Sequence, residues 1–477
     1  MPEIGTHQTL PRIIQGGMGI GVSDWRLARA VSSYGQLGVV SGTALDSVFA
    51  RRLQDGDVGG ELRRAMRHFP FPDVATLALA RYFRRGGRVQ GEPYRLVPMY
   101  RRLATHKREA FTMLATFVEV FLAREGHDNP VGINLLTKVQ RPNLATLYGA
   151  MLAGVDYVLM GAGIPREIPA ALDALSQHQA ASLRYDVLGL PPGSDVRITL
   201  DPTEFWRDLP PPLRRPKFLP IVASNSLATV LARKSGGRID GFVVEGPTAG
   251  GHNAPPRGDP ELNSRGEPVY GVRDEVDLAK LRELGLPFWV AGGAGSPEAL
   301  RHARAQGAAG VQVGTLFAYC NESGLADHLK QSVLASALLD GVDVFTDPLA
   351  SPTGYPFKVV RWSGEPAPSA PRDRICDLGY LRTPYSTADG GVGFRCPAEP
   401  VDQFVAKGGD AGETVGRRCL CNALMANIAL PQIRENGIVE PHLLTSGDDL
   451  VTLSAFLCGR SHYSAADVID HLLAVPA

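Results

Sequence analysis

Two neighbouring segments constrain the fold of this chain more than any others: Pro287-Phe288-Trp289-Val290-Ala291-Gly292-Gly293 and Ala309-Gly310-Val311-Gln312-Val313-Gly314-Thr315. Each is a short apolar run with the character of a buried strand, ends in glycine and leads into a helix. After the first, Ser296-Pro297-Glu298 supplies the cap, first-turn proline and first-turn acid of a helix start. Either segment alone would be an ordinary turn. In successive strand-then-helix units they bring bare backbone N–H groups and positive helix ends toward one point, which makes a phosphate site. In an eight-stranded α/β barrel, such a site lies in the loops after the last two strands.

The same unit can be traced back to the start of the chain. Arg12 to Gln15 reads as strand one, followed by Gly16-Gly17-Met18-Gly19 and a helix from Ser23 to Tyr34 with Trp25, Leu27, Ala28 and Val31 on one face. Strands two to six follow at Leu37–Val40, Val131–Leu136, Asp156–Met160, Phe218–Ala223 and Asp240–Glu245. Short β-rich runs alternating with helical runs predict a parallel sheet, and eight of them with ligand-type residues at their C-terminal ends predict closure. The fold class is therefore α/β, a TIM (β/α)8 barrel. The rival, a doubly wound open sheet, would place G-x-G-x-x-G after strand one, and the glycines at 16, 19 and 21 have the gaps in the wrong order.

Strand six leads into Glu245-Gly246-Pro247-Thr248-Ala249-Gly250-Gly251-His252. A carboxylate, a glycine run and an imidazole at a strand's C-terminal end let backbone approach a flat ligand with a titratable group beside it. An isolated histidine would more readily be a loop or packing residue, but at this place in a barrel His252 reads as functional. Asn134 in an apolar strand is a buried amide that needs partners. Met18 could be core filler, and Gln15 and Gln312 could satisfy barrel-interior backbone.

The runs Ile14-Gln15-Gly16-Gly17-Met18-Gly19, Gly132-Ile133-Asn134, Ala249-Gly250-Gly251-His252, Ala291-Gly292-Gly293 and Gly310 to Thr315 together resemble the nitronate monooxygenase family, also called 2-nitropropane dioxygenases, in its long form with a C-terminal extension. The resemblance covers about residues 10 to 325 and implies an FMN-dependent barrel oxidising alkyl nitronates or nitroalkanes with dioxygen. It implies that Gly17, Met18 and Asn134 lie along the flavin ring and ribityl chain, and that Gly292, Gly293, Gly314 and Thr315 hold the phosphate. Gly250, Gly251 and Ala291 belong to the same cofactor-binding motifs, Glu245 stands where relatives commonly have aspartate, and His252 is the catalytic histidine. Where some relatives have a lysine after strand five, this chain has Val222-Ala223-Ser224-Asn225. His252 could serve as base toward a neutral nitroalkane or, as imidazolium, pair with nitro oxygens.

The long, extended form also resembles enoyl reductases acting in trans on polyketide and polyunsaturated fatty-acid synthases. That alternative implies NADPH and an acyl carrier protein as partner, yet Asn253-Ala254-Pro255-Pro256-Arg257 is not the continuation associated with that group. A non-catalytic flavin binder is the third reading.

At 477 residues the chain exceeds one barrel. The expected division is a barrel over 1–325, with insertions at about 54–105 and 188–216, and an extension over 326–477. The first insertion is rich in arginine and aromatics and reads as a solvated cover or as a recogniser of an anionic or acyl-carrier-linked substrate; the second, rich in proline, reads as an extended loop or arm. Within the extension, the loop from Asp347 to Lys358 is expected to close the barrel mouth, with Lys358 as a substrate contact. Cys376, Cys396, Cys419 and Cys421 raise a metal or iron–sulfur site, but their spacing lacks the paired C-x-x-C of a standard one and fits packed thiols as well. Cys320 and Cys458 read as buried core. With 49 basic and 49 acidic residues and no basic block, a nucleic-acid partner is not expected. The start Met1-Pro2-Glu3-Ile4-Gly5 lacks a signal pattern and no run of eighteen apolar residues occurs, so a soluble cytoplasmic protein is expected, with no membrane partner. A homodimer is compatible with these features.

Overall fold

The computed structural model describes residues 10–101, 104–365, 373–435 and 437–475; the N-terminal residues on which the absence of a signal pattern was read lie outside them. Eight parallel strands form one sheet: β1 Ile13–Gln15, β2 Gly38–Ser41, β3 Val131–Leu136, β4 Tyr157–Gly161, β5 Lys217–Val222, β6 Phe242–Glu245, β7 Phe288–Ala291 and β8 Gly310–Val313. Their spatial order is β1-β8-β7-β6-β5-β4-β3-β2. Closure comes where Ile14 bridges Leu37, with Gln15 N donating to Leu37 O and Leu37 N to Ile13 O.

Ile14, Val39, Leu159, Leu219, Val243 and Trp289 form the packed barrel interior, all fully removed from solvent. Trp289 Nε1 closes its floor by donating to Pro11 O at 2.8 Å. A larger core lies between strands and surrounding helices and includes the extension's Leu444, Leu450, Tyr463 and Leu472. Burying both sheet faces explains the near-continuous apolar runs of the strands.

The insertions differ from their sequence reading in detail. In the first, helices Glu61–Met66 and Pro72–Tyr82 bury Leu62, Ala65, Met66 and Tyr82 in the core, beside helix His106–Arg124. Arg63 pairs with Asp57 at 2.9 Å and Arg64 with Glu125, so this part of the segment is packed structure as well as cover. The second insertion is not all extended arm: Arg197–Leu200 pairs antiparallel with Ala181–Arg184, and Ile198 and Leu200 alternate inward. The flanking prolines hid that short period-two pattern.

In the extension, β9 Val342–Asp347 and β10 Phe357–Trp362 form one hairpin, and β11 Thr383–Ser386 and β12 Val392–Arg395 another. Lys358 is not a cavity residue. It is buried, donating to Asp448 Oδ1 at 2.7 Å and Thr346 Oγ1 at 2.9 Å, a lock between β10 and the 448 turn. Cys320 is buried as expected, but Cys458 is exposed, because its helix stops at Leu457 and Cys458 caps it with φ 46°. Cys376, Cys396, Cys419 and Cys421 do converge on one small cavity. Among the described residues no group of three or more His, Cys, Asp or Glu is arranged to hold a metal ion, and no helix is long and apolar enough to cross a membrane.

A buried polar cluster ties the extension to the barrel. Asp46 accepts from Arg108, from the Tyr380 hydroxyl and from Ser47 N. Burial opposes ionisation there, yet Arg108 and Tyr380 hold the carboxyl below its usual range. Asp46→Ala leaves the Arg108 charge buried without its counterion, and a loss of about 3–5 kcal/mol is expected, read as a lowered urea midpoint at unchanged slope. Because the folded pKa is depressed, this contribution is complete above the ordinary aspartate value of 3.8 and is lost as pH falls through the lower folded value.

Candidate active site

The C-terminal ends of the barrel strands open onto a cavity of about 240 Å³. Gly17, Met18, Asn134, Glu245, Gly250, Gly251, His252, Ala291, Gly292, Gly293, Gly314 and Thr315 all line it, although they come from five separate strand ends. The cavity also takes Gln312, which the sequence reading set aside, while Gln15 is structural: its Oε1 accepts from Val39 N at 3.0 Å and its Nε2 donates to Ser23 Oγ at 2.8 Å.

Two features suit a flat, hydrogen-bonding ligand ending in an anion. The amide oxygens of Asn134 and Gln312 are buried without a hydrogen-bond partner at the cavity wall, whereas Asn134 Nδ2 donates to Gly17 O at 3.2 Å. Such orphaned acceptors are costly unless a ligand supplies the donor. At the other end, Gly292 has φ 90°, and a Cβ there would sit 2.8 Å from Thr248 Oγ1 and 3.0 Å from Ala249 N. Only glycine lets the two strand-end loops close this tightly.

The extension supplies a wall that sequence reading missed. Tyr380, Leu381, Leu420, Cys421, Leu424 and the 444–447 segment all line the cavity. Gly447 N donates to Thr315 Oγ1 at 3.1 Å and Gly251 N to Thr445 Oγ1 at 2.8 Å, so Thr315's hydroxyl is engaged by the extension. From the 347–358 loop, Phe357 lines the cavity and Ser351 reaches His252. His252 bridges to Phe357, whose ring lies edge-on to the imidazole at 4.8 Å, and His252 Nε2 lies 2.7 Å from Ser351 Oγ.

His252 and Glu245 stand on the wall shared with a second chamber of about 210 Å³. Lys138, two residues beyond β3, lines that chamber and was missed. Its position in a loop at the C-terminal end of a barrel strand was the available signal. Burial pushes the Lys138 ammonium down to about 7, with Glu245 pulling the other way, and burial pushes the Glu245 carboxyl up to about 7 despite Lys138. Burial and then the nearby Lys138 charge push His252 well below its usual value. The imidazole is therefore neutral at pH 7, the form of a base rather than of a cation.

Residues 215–350 match the family model described as nitronate monooxygenase, a stretch running from β5 through His252 and both glycine turns into the extension. Over this stretch the chain is similar to the nitronate monooxygenase family. Among solved structures, FabK from Thermotoga maritima aligns at 17% identity over 98% of this chain and 92% of that one, with TM-score 0.48. Nitroalkane oxidase from Streptomyces ansochromogenes aligns at 15% over 97% and 94%, with TM-score 0.46. The enoyl reductase domain of MlnA from Bacillus amyloliquefaciens aligns at 11% over 96% and 91%, with TM-score 0.45. No curated protein sequence matches the chain. The nitronate monooxygenase segment carries only part of the site: Asn134, Lys138 and Met18 precede it, and Tyr380, Cys421 and Gly447 follow it.

Proposed function

We propose that the protein is an FMN-dependent nitronate monooxygenase that oxidises alkyl nitronates and nitroalkanes with dioxygen. The observation that carries this reading is a histidine held neutral near a buried lysine, at the edge of a cavity whose glycine turns and orphaned amides suit a flavin mononucleotide.

Asn134 and Gln312 would offer their free amide oxygens to the flavin's one ring N–H and its ribityl hydroxyls, and the turns at Gly292-Gly293 and Gly314-Thr315 would receive its phosphate. When bound, the flavin supplies the electron-accepting ring and the onward reaction with dioxygen. The chain's own work lies at His252. Its imidazole takes the α-proton of a neutral nitroalkane, the C–H electron pair moves into the nitro group, and the nitronate forms with its charge on oxygen. Phe357 and the Ser351 hydroxyl fix the ring's orientation, and the 347–357 cover limits water. A preformed nitronate needs no such proton transfer.

The test is anaerobic reduction of the flavin-loaded protein. Bleaching by an alkyl nitronate, with none by NADPH, is the expected result; bleaching by NADPH alone would replace this reading with a reductase.

A further inference from the structure

The second chamber contains an ammonium with little to hold it. Among the described residues no carboxylate oxygen lies within 4.0 Å of Lys138 Nζ: its contacts are Thr353 Oγ1 at 3.4 Å and the Tyr355 ring, whose centroid is 4.8 Å away. A lysine largely withdrawn from water costs free energy unless a counter-charge or strong acceptors meet it. One long hydrogen bond and one exposed-type cation–π contact are weak compensation.

Lys138 is also wired to the proposed base. Thr353 Oγ1 lies 2.8 Å from Ser351 Oγ, which lies 2.7 Å from His252 Nε2, so two hydroxyls join the ammonium to the imidazole. His252 and Glu245 face both this chamber and the larger cavity. The Glu245 carboxyl attracts Lys138 without an ion-pair contact, and the remaining charged groups lining the chamber are already occupied. Arg257 donates to Arg273 O and Ala223 O, and Asp274 accepts from Arg257 N and Gly271 N.

We propose that this chamber admits the substrate and that Lys138 is its specificity-determining residue, holding a planar oxyanion while His252 faces the adjoining carbon. This deepens the nitronate reading and rests on it for the identity of the oxyanion, the nitro oxygens that gain charge as the α-proton leaves. A cation placed there stabilises charge that develops during proton transfer, and it binds the preformed anion directly.

The experiment separates binding from turnover. Butyrate, which carries a planar oxyanion on a short alkyl chain, is titrated calorimetrically into the flavin-loaded protein, its Lys138→Met and Lys138→Gln variants, and His252→Asn. Lys138→Gln keeps a donor toward Thr353 and guards against a folding defect in the methionine variant; retained flavin in either one certifies the fold. The expected result is at least about a tenfold loss of butyrate affinity in both lysine variants, with binding kept in His252→Asn and butyramide binding equally weak throughout. In turnover, the lysine variants should raise KM for the nitronate. Butyrate binding unaffected in a flavin-retaining lysine variant overturns the proposal, whatever the reaction. Lysine-dependent butyrate binding in a protein that does not oxidise nitronates would uphold the oxyanion site and reject the nitronate reading alone.

Discussion

Replacing His252 with asparagine is expected to slow turnover of a neutral nitroalkane by about a hundredfold or more, the usual size of a general-base contribution. Turnover of the corresponding nitronate, which has already lost its α-proton, should be nearly spared. The prediction depends on the protonation state set by the fold: burial and the neighbouring Lys138 hold the imidazole neutral, so it can accept a proton at pH 7. It follows that protonation of His252 should not cut kcat/KM for the neutral substrate at the ordinary histidine value of 6.5 but only at clearly lower pH, while Lys138 and Glu245, both near 7, shape the profile around neutrality. Had His252 acted as a cation toward nitro oxygens, both substrates would suffer together in the asparagine variant. A variant that keeps its flavin and full activity on both substrates would remove His252 from the chemistry.

Gly314→Val should produce a stable but colourless protein. A Cβ at Gly314 meets nothing closer than Met18 Sδ at 3.5 Å, an ordinary contact, and its φ of −108° suits any residue. The added carbons cost the fold little and occupy the cradle where a phosphate would approach. We expect the urea midpoint of the flavin-free variant to match that of the flavin-free parent while flavin retention falls at least about tenfold, roughly 1.4 kcal/mol of binding or more. Gly292→Ala makes a useful contrast, since its positive φ and its clash with Thr248 and Ala249 should cost stability as well. Chromatography of the flavin released from the parent protein checks the cofactor itself, and recovery of FAD would reject FMN. Stoichiometric flavin in Gly314→Val would move the phosphate site elsewhere.

Much of the barrel was legible because its signals are local. Strand bounds came within two residues at all eight strands, since a parallel strand buried on both faces must be a short apolar run and its loop must carry the turn glycines. Gly17, Asn134, His252, Gly292 and Gly314 could be brought to one place from their positions at strand ends, because closure of the sheet makes every strand's C-terminal end face the same mouth. The short strand Arg197–Leu200 was lost among prolines, and Cys458 was misplaced because a helix end, which composition does not mark, decides its exposure.

What the sequence determined by itself was the barrel, its glycine turns and the histidine at the sixth strand's end, all dictated by short-range pattern and by the chain-independent geometry of a closed parallel sheet. What only the tertiary structure decided was the charge state and surroundings of that histidine. Lys138, Ser351, Thr353 and Phe357 reach His252 across about a hundred residues of chain on either side, and the 444–447 segment crosses 194 residues to meet Gly251 and 132 to meet Thr315. Burial and Coulomb interaction depend on distance in space, and no periodicity along the chain records where two distant loops will meet.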